Sequence, residues 1–224
     1  MLKYKNRKVF PSEINATGGF TMTNKIITIG RQYGSGGREI GKKLADAMGV
    51  PFYDKALLSR AAQESGFCEE ILEDYDEKPV NSLLYSLFMG GPGGVDSLPL
   101  NQKLFLAQFD AIKKVASEGP CVIIGRCADY ALRDNPNCVN IFIHAQMEAR
   151  VQRLMRLYNL TAEKAEQTAL KRDKQRASYY NFYSDKRWGA ADHYHLVVDS
   201  SAIGIDNAVE LIRIFAEMKQ AAKI

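Results

Sequence analysis

No apolar run in the chain approaches the roughly 18 residues needed to span a bilayer, which argues against a membrane-spanning helix. Cysteine is scarce: Cys68, Cys121, Cys127 and Cys138 contain no C-x-x-C pair, and the three histidines do not complete a zinc spacing with them. A disulfide framework and a zinc ribbon are thereby excluded, and a reducing, cytoplasmic compartment is expected. Charge of one sign is also in short supply, because 30 Lys+Arg against 26 Asp+Glu leave a net charge of only +4. That excess permits an anionic ligand but does not argue for nucleic acid. The basic N-terminus (Lys3, Lys5, Arg7, Lys8) is followed by no apolar h-region, so no secretory signal is read there. There is no internal repeat and no low-complexity tract.

What is present is the composition of an ordinary globular domain, 46% hydrophobic and 25% charged over 224 residues. A chain of this length buries about 70–75% of its unfolded surface and needs no staples. Residues 1–22 carry Pro11, Gly18 and Gly19 without any period and read as an N-terminal extension, outside catalysis. From residue 23 to 224 short apolar runs alternate with helical periods. Strands are expected at Lys25–Gly30, Val50–Tyr53, Pro120–Ile124, Cys138–His144 and His195–Asp199. Helices are expected at Ser35–Met48, Lys55–Glu64, Glu69–Tyr75, Leu100–Ser117, Gln146–Tyr158, Thr161–Tyr180 and Ile205–Lys219, with a glycine-rich loop at 89–99. Five strands alternating with helices imply an α/β protein, with a parallel sheet covered on both faces. Ligands of such sheets bind at the carboxyl edge of the strands, so the chemistry should follow the strands.

It does. Gly30-Arg31-Gln32-Tyr33-Gly34-Ser35-Gly36-Gly37-Arg38-Glu39 joins the first strand to the first helix. Glycine-rich turns of this kind let backbone N–H groups approach phosphate oxygens, and the helix start adds partial positive charge. Set against G-x-x-x-x-G-K-[ST], Gly36 takes the last glycine, Arg31 stands at the first glycine, Gly37 at the lysine and Arg38 at the Ser/Thr. Arg38 is then a candidate replacement cation, and Glu39 a candidate magnesium ligand. A dinucleotide-binding reading competes: Gly34, Gly36 and Gly41 approximate G-x-G-x-x-G with two residues too many, and Asp54 follows the second strand as a ribose-binding acid would.

Further candidates lie at the same edge. Asp54 and Arg60 form an Asp-x5-Arg pair, and Gly125-Arg126 follows the third strand, with Asp129 nearby. Arg150, Arg153 and Arg156 recur every three residues, followed by the basic stretch around Asp173 and Arg176. Phosphoryl transfer needs several cations around spread negative charge, closed over by a mobile lid. Tyr179, Tyr180, Phe182, Tyr183 and Trp188 are read chiefly as lid packing, with base stacking the other possibility.

The ordered set of glycine loop, Asp-x5-Arg, strand-Gly-Arg, Ile-Phe-Ile-His-Ala-x-x-Glu-x-Arg-x-x-Arg, Asp-x-x-Arg and His-Leu-Val-Val-Asp-Ser-Ser resembles the cytidylate kinases, and more closely the cytidylate kinase-like proteins, over roughly residues 25–218. The resemblance implies a three-layer P-loop NTPase fold of the nucleoside-monophosphate kinase type: a five-stranded parallel sheet with helices on both faces, an acceptor-side insert at about 66–118 and a helical lid at about 158–190. It implies ATP and Mg²⁺ as cofactors and a small nucleotide as substrate, with no nucleic-acid or membrane partner. Carried over, Gly34, Ser35, Gly36, Gly37, Arg38 and Glu39 hold the donor phosphates and metal; Asp54, Arg60, Arg126, Asp129 and Asp173 bind the acceptor; Arg38, Arg150, Arg153 and Arg176 act on the transferring group. Cytidylate kinases have lysine where Gly37 stands, threonine where Glu39 stands, and an acid where Cys127 stands. The expected activity is therefore transfer of a γ-phosphoryl group to a nucleoside monophosphate or similar acceptor. The alternatives are a nucleotide-binding regulatory module without transfer, and a dinucleotide-binding oxidoreductase.

Overall fold

A computed structural model describes residues 25–54 and 100–221. The elements run β1 (Ile26–Arg31), α1 (Gly37–Met48), β2 (Phe52–Tyr53), α2 (Leu100–Glu118), β3 (Cys121–Ile124), α3 (Ala128–Ala131), β4 (Cys138–His144), α4 (Met147–Tyr158) and α5 (Ala162–Ser184). A 3-10 turn at Ala191–His193, β5 (Leu196–Asp199), α6 (Ser200–Ile203) and α7 (Ile205–Ala221) complete the described chain. The five expected strands are present, and they pair in parallel in the order β2-β3-β1-β4-β5. The helices expected at 55–64 and 69–75, the loop at 89–99, Arg60 and the extension 1–22 lie outside the described residues.

The β-branched run of β1 makes it the central strand. Ile27 and Ile29 face one layer, where they pack with Ile40 and Leu44 of α1 and Ile212 of α7. Ile26 faces the other layer, with Ile112 and Val115 of α2 and Leu132 just after α3. Both faces being covered explains why the strands read as continuous apolar runs rather than alternating ones. Cys121 and Cys138 sit in the second layer at 1% and 2% exposure, as small apolar side chains; burial pushes the Cys121 thiol up to about 12. A third, smaller cluster of Leu154, Ala165 and Ala169 joins α4 to α5 and takes in Tyr33 from the glycine loop.

The strand order decides between the two loop readings. A dinucleotide fold needs β2 beside β1, so that the acid after β2 reaches a ribose held over the β1 loop. Here β3 lies between them. Asp54 therefore stands one strand further out, and the dinucleotide reading fails on topology. The chain order reverses around β1, whose neighbours are β3 and β4, and this puts the ligand edge at the carboxyl ends of those three strands. Register sets the levels there: Ile29 pairs with Ile124 and Arg31 with Ile143, so Gly30 of β1 lies level with Gly125, the residue just after β3.

Candidate phosphate-binding site

The glycine loop delivers α1 with an open N-terminus. Gly36 caps the helix at φ +79° and supplies no side chain, so the N–H groups of Gly37, Arg38 and Glu39 have neither an intrahelical carbonyl nor a side-chain cap. Donors left this way, with the helix dipole behind them, suit an anion. A Cβ on Gly36 would fall 2.4 Å from Ile205 Cδ1, in addition to the strain of its left-handed backbone.

The loop is clamped from four directions. The Gln32 N–H donates to Ile143 O at 2.9 Å, and its side-chain oxygen accepts from Ala145 N at 3.2 Å. The buried Ser200 hydroxyl lies 2.6 Å from Ser35 O and 3.0 Å from His144 O. From α5, one Asp173 oxygen accepts the Tyr33 N–H at 2.7 Å while the other pairs with Arg150. Arg150 Nε in turn donates to Tyr33 O at 2.7 Å. Arg176 Nη1 donates to Arg31 O at 3.1 Å, with its guanidinium 5.2 Å from the Tyr33 ring centre. Burial raises the Asp173 pKa, opposed by the Tyr33 N–H and Arg150.

The expected site arginines lie at different depths in this geometry. Arg150 is 3% exposed beneath the loop, and both ends of its guanidinium are committed to Tyr33 and Asp173. Asp173 is committed likewise. These two residues were expected at the transferring group and at the acceptor; the structure puts them behind the loop, where they fix its shape. Burial explains the difference, since an ionic pair this enclosed must satisfy itself locally. Arg176 and Arg153 do line the cleft above the loop.

That cleft has a volume of about 480 Å³ and is lined by six cations, Arg31, Arg38, Lys42, Lys43, Arg153 and Arg176, against one acid, Glu39. Several of the cations are already paired. Arg38, expected to stand in for the lysine, turns outward at 70% side-chain exposure and binds Asp54 at 2.6 Å, so its charge and that of Asp54 largely offset each other. Lys43 pairs with Asp206 at 2.6 Å, and Arg153 pairs with Glu39. Among the described residues no three His, Cys, Asp or Glu groups converge as a metal cage. A lone half-exposed carboxylate in the first turn of α1 still fits Mg²⁺, which usually takes one or two carboxylates and fills its shell with phosphate oxygens and water.

Across the edge, behind Gly125, lies a second and narrower pocket of about 40 Å³. Gly125, Arg126 and Cys127 all have positive φ (72°, 58° and 53°). Two consecutive non-glycine residues in this region hold stored strain, and such strain gathers at functional sites. The bend presents Arg126 to the pocket, 5.7 Å from the Tyr179 ring centre. Asp129 is 8% exposed and accepts the Tyr180 hydroxyl at 2.5 Å; burial raises its pKa. The aromatics of α5 and of the segment after it pack on their neighbours: Tyr183 stacks on Phe105 at 3.9 Å, and Trp188, beyond the helix, stands edge-on to Phe142. Tyr179, Tyr180 and Trp188 also line this pocket.

Sequence reasoning missed Arg31, which lines both clefts, and the loop anchors Gln32, Tyr33 and Ser200. The anchors bind to or through backbone atoms and leave no motif. Arg31 did leave a signal, since a large residue stands at a glycine position of the same motif that has a glycine at its lysine position.

Comparison with known proteins bears on this site. A model of the cytidylate kinase-like family matches residues 26–202. An uncharacterized protein from Eubacterium ventriosum ATCC 27560 has a solved structure similar to this chain, with TM-score 0.68 and 28% identity over 86% of this chain and 98% of that one. A shikimate kinase from Bacteroides thetaiotaomicron is more distant, with TM-score 0.48 and 15% identity over 86% of this chain and 98% of that one. A gluconokinase from Sinorhizobium meliloti 1021 is similar at TM-score 0.47 and 16% identity, over 90% of this chain and 99% of that one. Among curated proteins there is no match.

Proposed function

The chain belongs to the cytidylate kinase-like family, and from that premise we propose that it is an ATP-dependent phosphotransferase acting on a nucleoside monophosphate or a similar small phosphoacceptor. The observation that carries the proposal is the uncapped start of α1, opening into a cleft with six cations on its walls. The donor phosphates lie on the N–H groups from Gly34 to Glu39. Glu39 would help to hold Mg²⁺, which when bound would supply charge neutralisation to the donor phosphates. Arg153 and Arg176 stabilise charge on the transferring group, while Arg150 and Asp173 hold the loop in register. Arg126 and Asp129 face the acceptor from the pocket behind Gly125, and Arg60 and Asp54 are assigned to acceptor binding as well. No general base is required, because positioning and electrostatics provide most of the acceleration in phosphoryl transfer.

A coupled assay with ATP, Mg²⁺ and a panel of nucleoside monophosphates tests this. Turnover of one acceptor supports it; no turnover together with no ATP binding overturns it. Glycine at position 37 favours a second reading, a module that binds nucleotide to regulate a partner without transferring phosphate. That reading expects ATP binding without turnover, and binding that Arg176→Ala barely alters.

A further inference from the structure

A P-loop lysine reaches the β- and γ-phosphates from the position that Gly37 occupies here. The space above Gly37 is not vacant. A Cβ built there would fall 2.6 Å from Arg31 Cβ and 3.0 Å from Arg31 Cγ. The Arg31 side chain thus runs over Gly37 and on along the sheet edge. Its Nη1 ends 2.1 Å from the point where a Cβ on Gly125 would be. It thereby crosses from the β1 loop to the end of β3 and lines both the ionic cleft and the pocket behind Gly125. Both positions that face it are glycines, one at the lysine position and one at the strand end. The carbonyl of Arg31 is held by Arg176, so the residue that places this guanidinium is itself part of the clamped loop.

From this interlock we propose that Arg31 is the phosphate-binding cation of the loop. The motif has exchanged its large basic residue and its small residue between positions 37 and 31, so that the charge enters from the first-glycine position. The guanidinium stands at the junction of the two clefts, where a phosphoryl group passing from donor to acceptor must travel. Its planar fork suits two phosphate oxygens at once, which an ammonium does not match. Arg38, one residue beyond the lysine position, is not the replacement, because it is turned out to Asp54.

The inference rests on the kinase reading, and the experiment separates the two. Initial rates and calorimetric binding of ATP and AMP are measured for the unmodified protein, Arg31→Met, Arg38→Met, Gly37→Lys, and the double variant Arg31→Gly with Gly37→Lys. Melting curves verify that each is folded. Arg31→Met keeps the bulk over Gly37 and removes the charge; it should lower kcat by about a hundredfold and weaken ATP more than AMP. Arg38→Met should lose less. Gly37→Lys alone should melt lower, because its Cβ meets Arg31. The double variant returns the lysine to an emptied site and should recover at least about tenfold over Arg31→Met. Undiminished activity in Arg31→Met, or a folded double variant no better than Arg31→Met, overturns this inference alone. An unmodified protein that neither binds nor turns over ATP overturns the kinase reading and this inference with it.

Discussion

On one side of Arg31 the cleft over the glycine loop is broad and ionic; on the other the pocket behind Gly125 is narrow and aromatic. One helix serves both. Along α5, Asp173 and Arg176 engage the loop, and Tyr179, Tyr180 and Tyr183, one or two turns further on, meet Arg126, Asp129 and Phe105 respectively. Residues three and four apart share a helix face, so a single stripe of α5 changes from ionic to aromatic as it passes from one cleft to the other. The contrast is chemical. A polyphosphate is the same in every nucleotide and is held by charge and backbone N–H groups, whereas an acceptor must be distinguished by shape and by a few buried polar groups.

Removing Arg176 strikes at the point where the two halves meet. Arg176→Ala should reduce kcat by about 10²–10³-fold, the usual cost of one donor aimed at developing charge. Its loss also frees Arg31 O and the face of Tyr33. Steady-state rates with a saturating acceptor read the effect. A kcat within a fewfold of the unmodified protein would mean that α5 contributes only packing to the ionic cleft.

Next in size is the clamp beneath the loop. Arg150→Ala should cost about 3 kcal/mol of stability, because it leaves Asp173 as a buried carboxylate without its cation. Arg153→Ala, on the cleft wall, should leave the melting temperature nearly unchanged while weakening ATP. Denaturant titrations of the two variants thus separate residues that shape the cleft from residues that line it. Equal melting temperatures would erase that division.

Smaller again is the effect of closing the helix start. Gly36→Ala forces a left-handed alanine, worth about 1–2 kcal/mol, and sets a methyl against Ile205. ATP affinity should fall, while ligands of the aromatic pocket should be little affected. Calorimetry with ATP and with the acceptor makes that comparison.

The sequence made the sheet legible because each strand is a short apolar run bounded by glycine, proline or a polar residue, from Ile26–Arg31 to Leu196–Asp199. It made the loop legible because no plain turn needs four glycines between Gly30 and Gly37. Strand order was not directly legible. It was the strand order, with β3 inserted between β1 and β2, that separated the two nucleotide-binding readings. The fate of the arginines was illegible for a related reason. Arg150 and Arg153 lie one helical turn apart in α4, yet one is buried under the loop and bound to Asp173, and the other reaches the cleft and Glu39. A three-residue spacing puts both on one side of the helix but cannot say how deep each lies. Arg31 was illegible as a functional residue because its role depends on two glycines, one six residues on and one on another strand.

The smallest effect expected concerns charge inside the aromatic pocket. Asp129 is buried, its carboxyl pKa is raised by that burial, and the Tyr180 hydroxyl, its own and the Tyr130 backbone N–H groups and the Lys186 charge oppose the rise. The folded protein therefore holds this proton more readily than the unfolded chain, whose carboxyl titrates near the ordinary value of 3.8. The stability contributed by Asp129 is fully present below that value and falls as pH rises through the raised folded value. Asp129→Asn keeps an acceptor for Tyr180 and removes the titration. The melting temperature of the variant minus that of the unmodified protein should therefore increase from pH 4 to pH 8. A difference that stays flat for Asp129→Asn would show that the aromatic pocket is well enough solvated to hold a carboxylate at no cost. The contrast between the two clefts would then be one of shape alone.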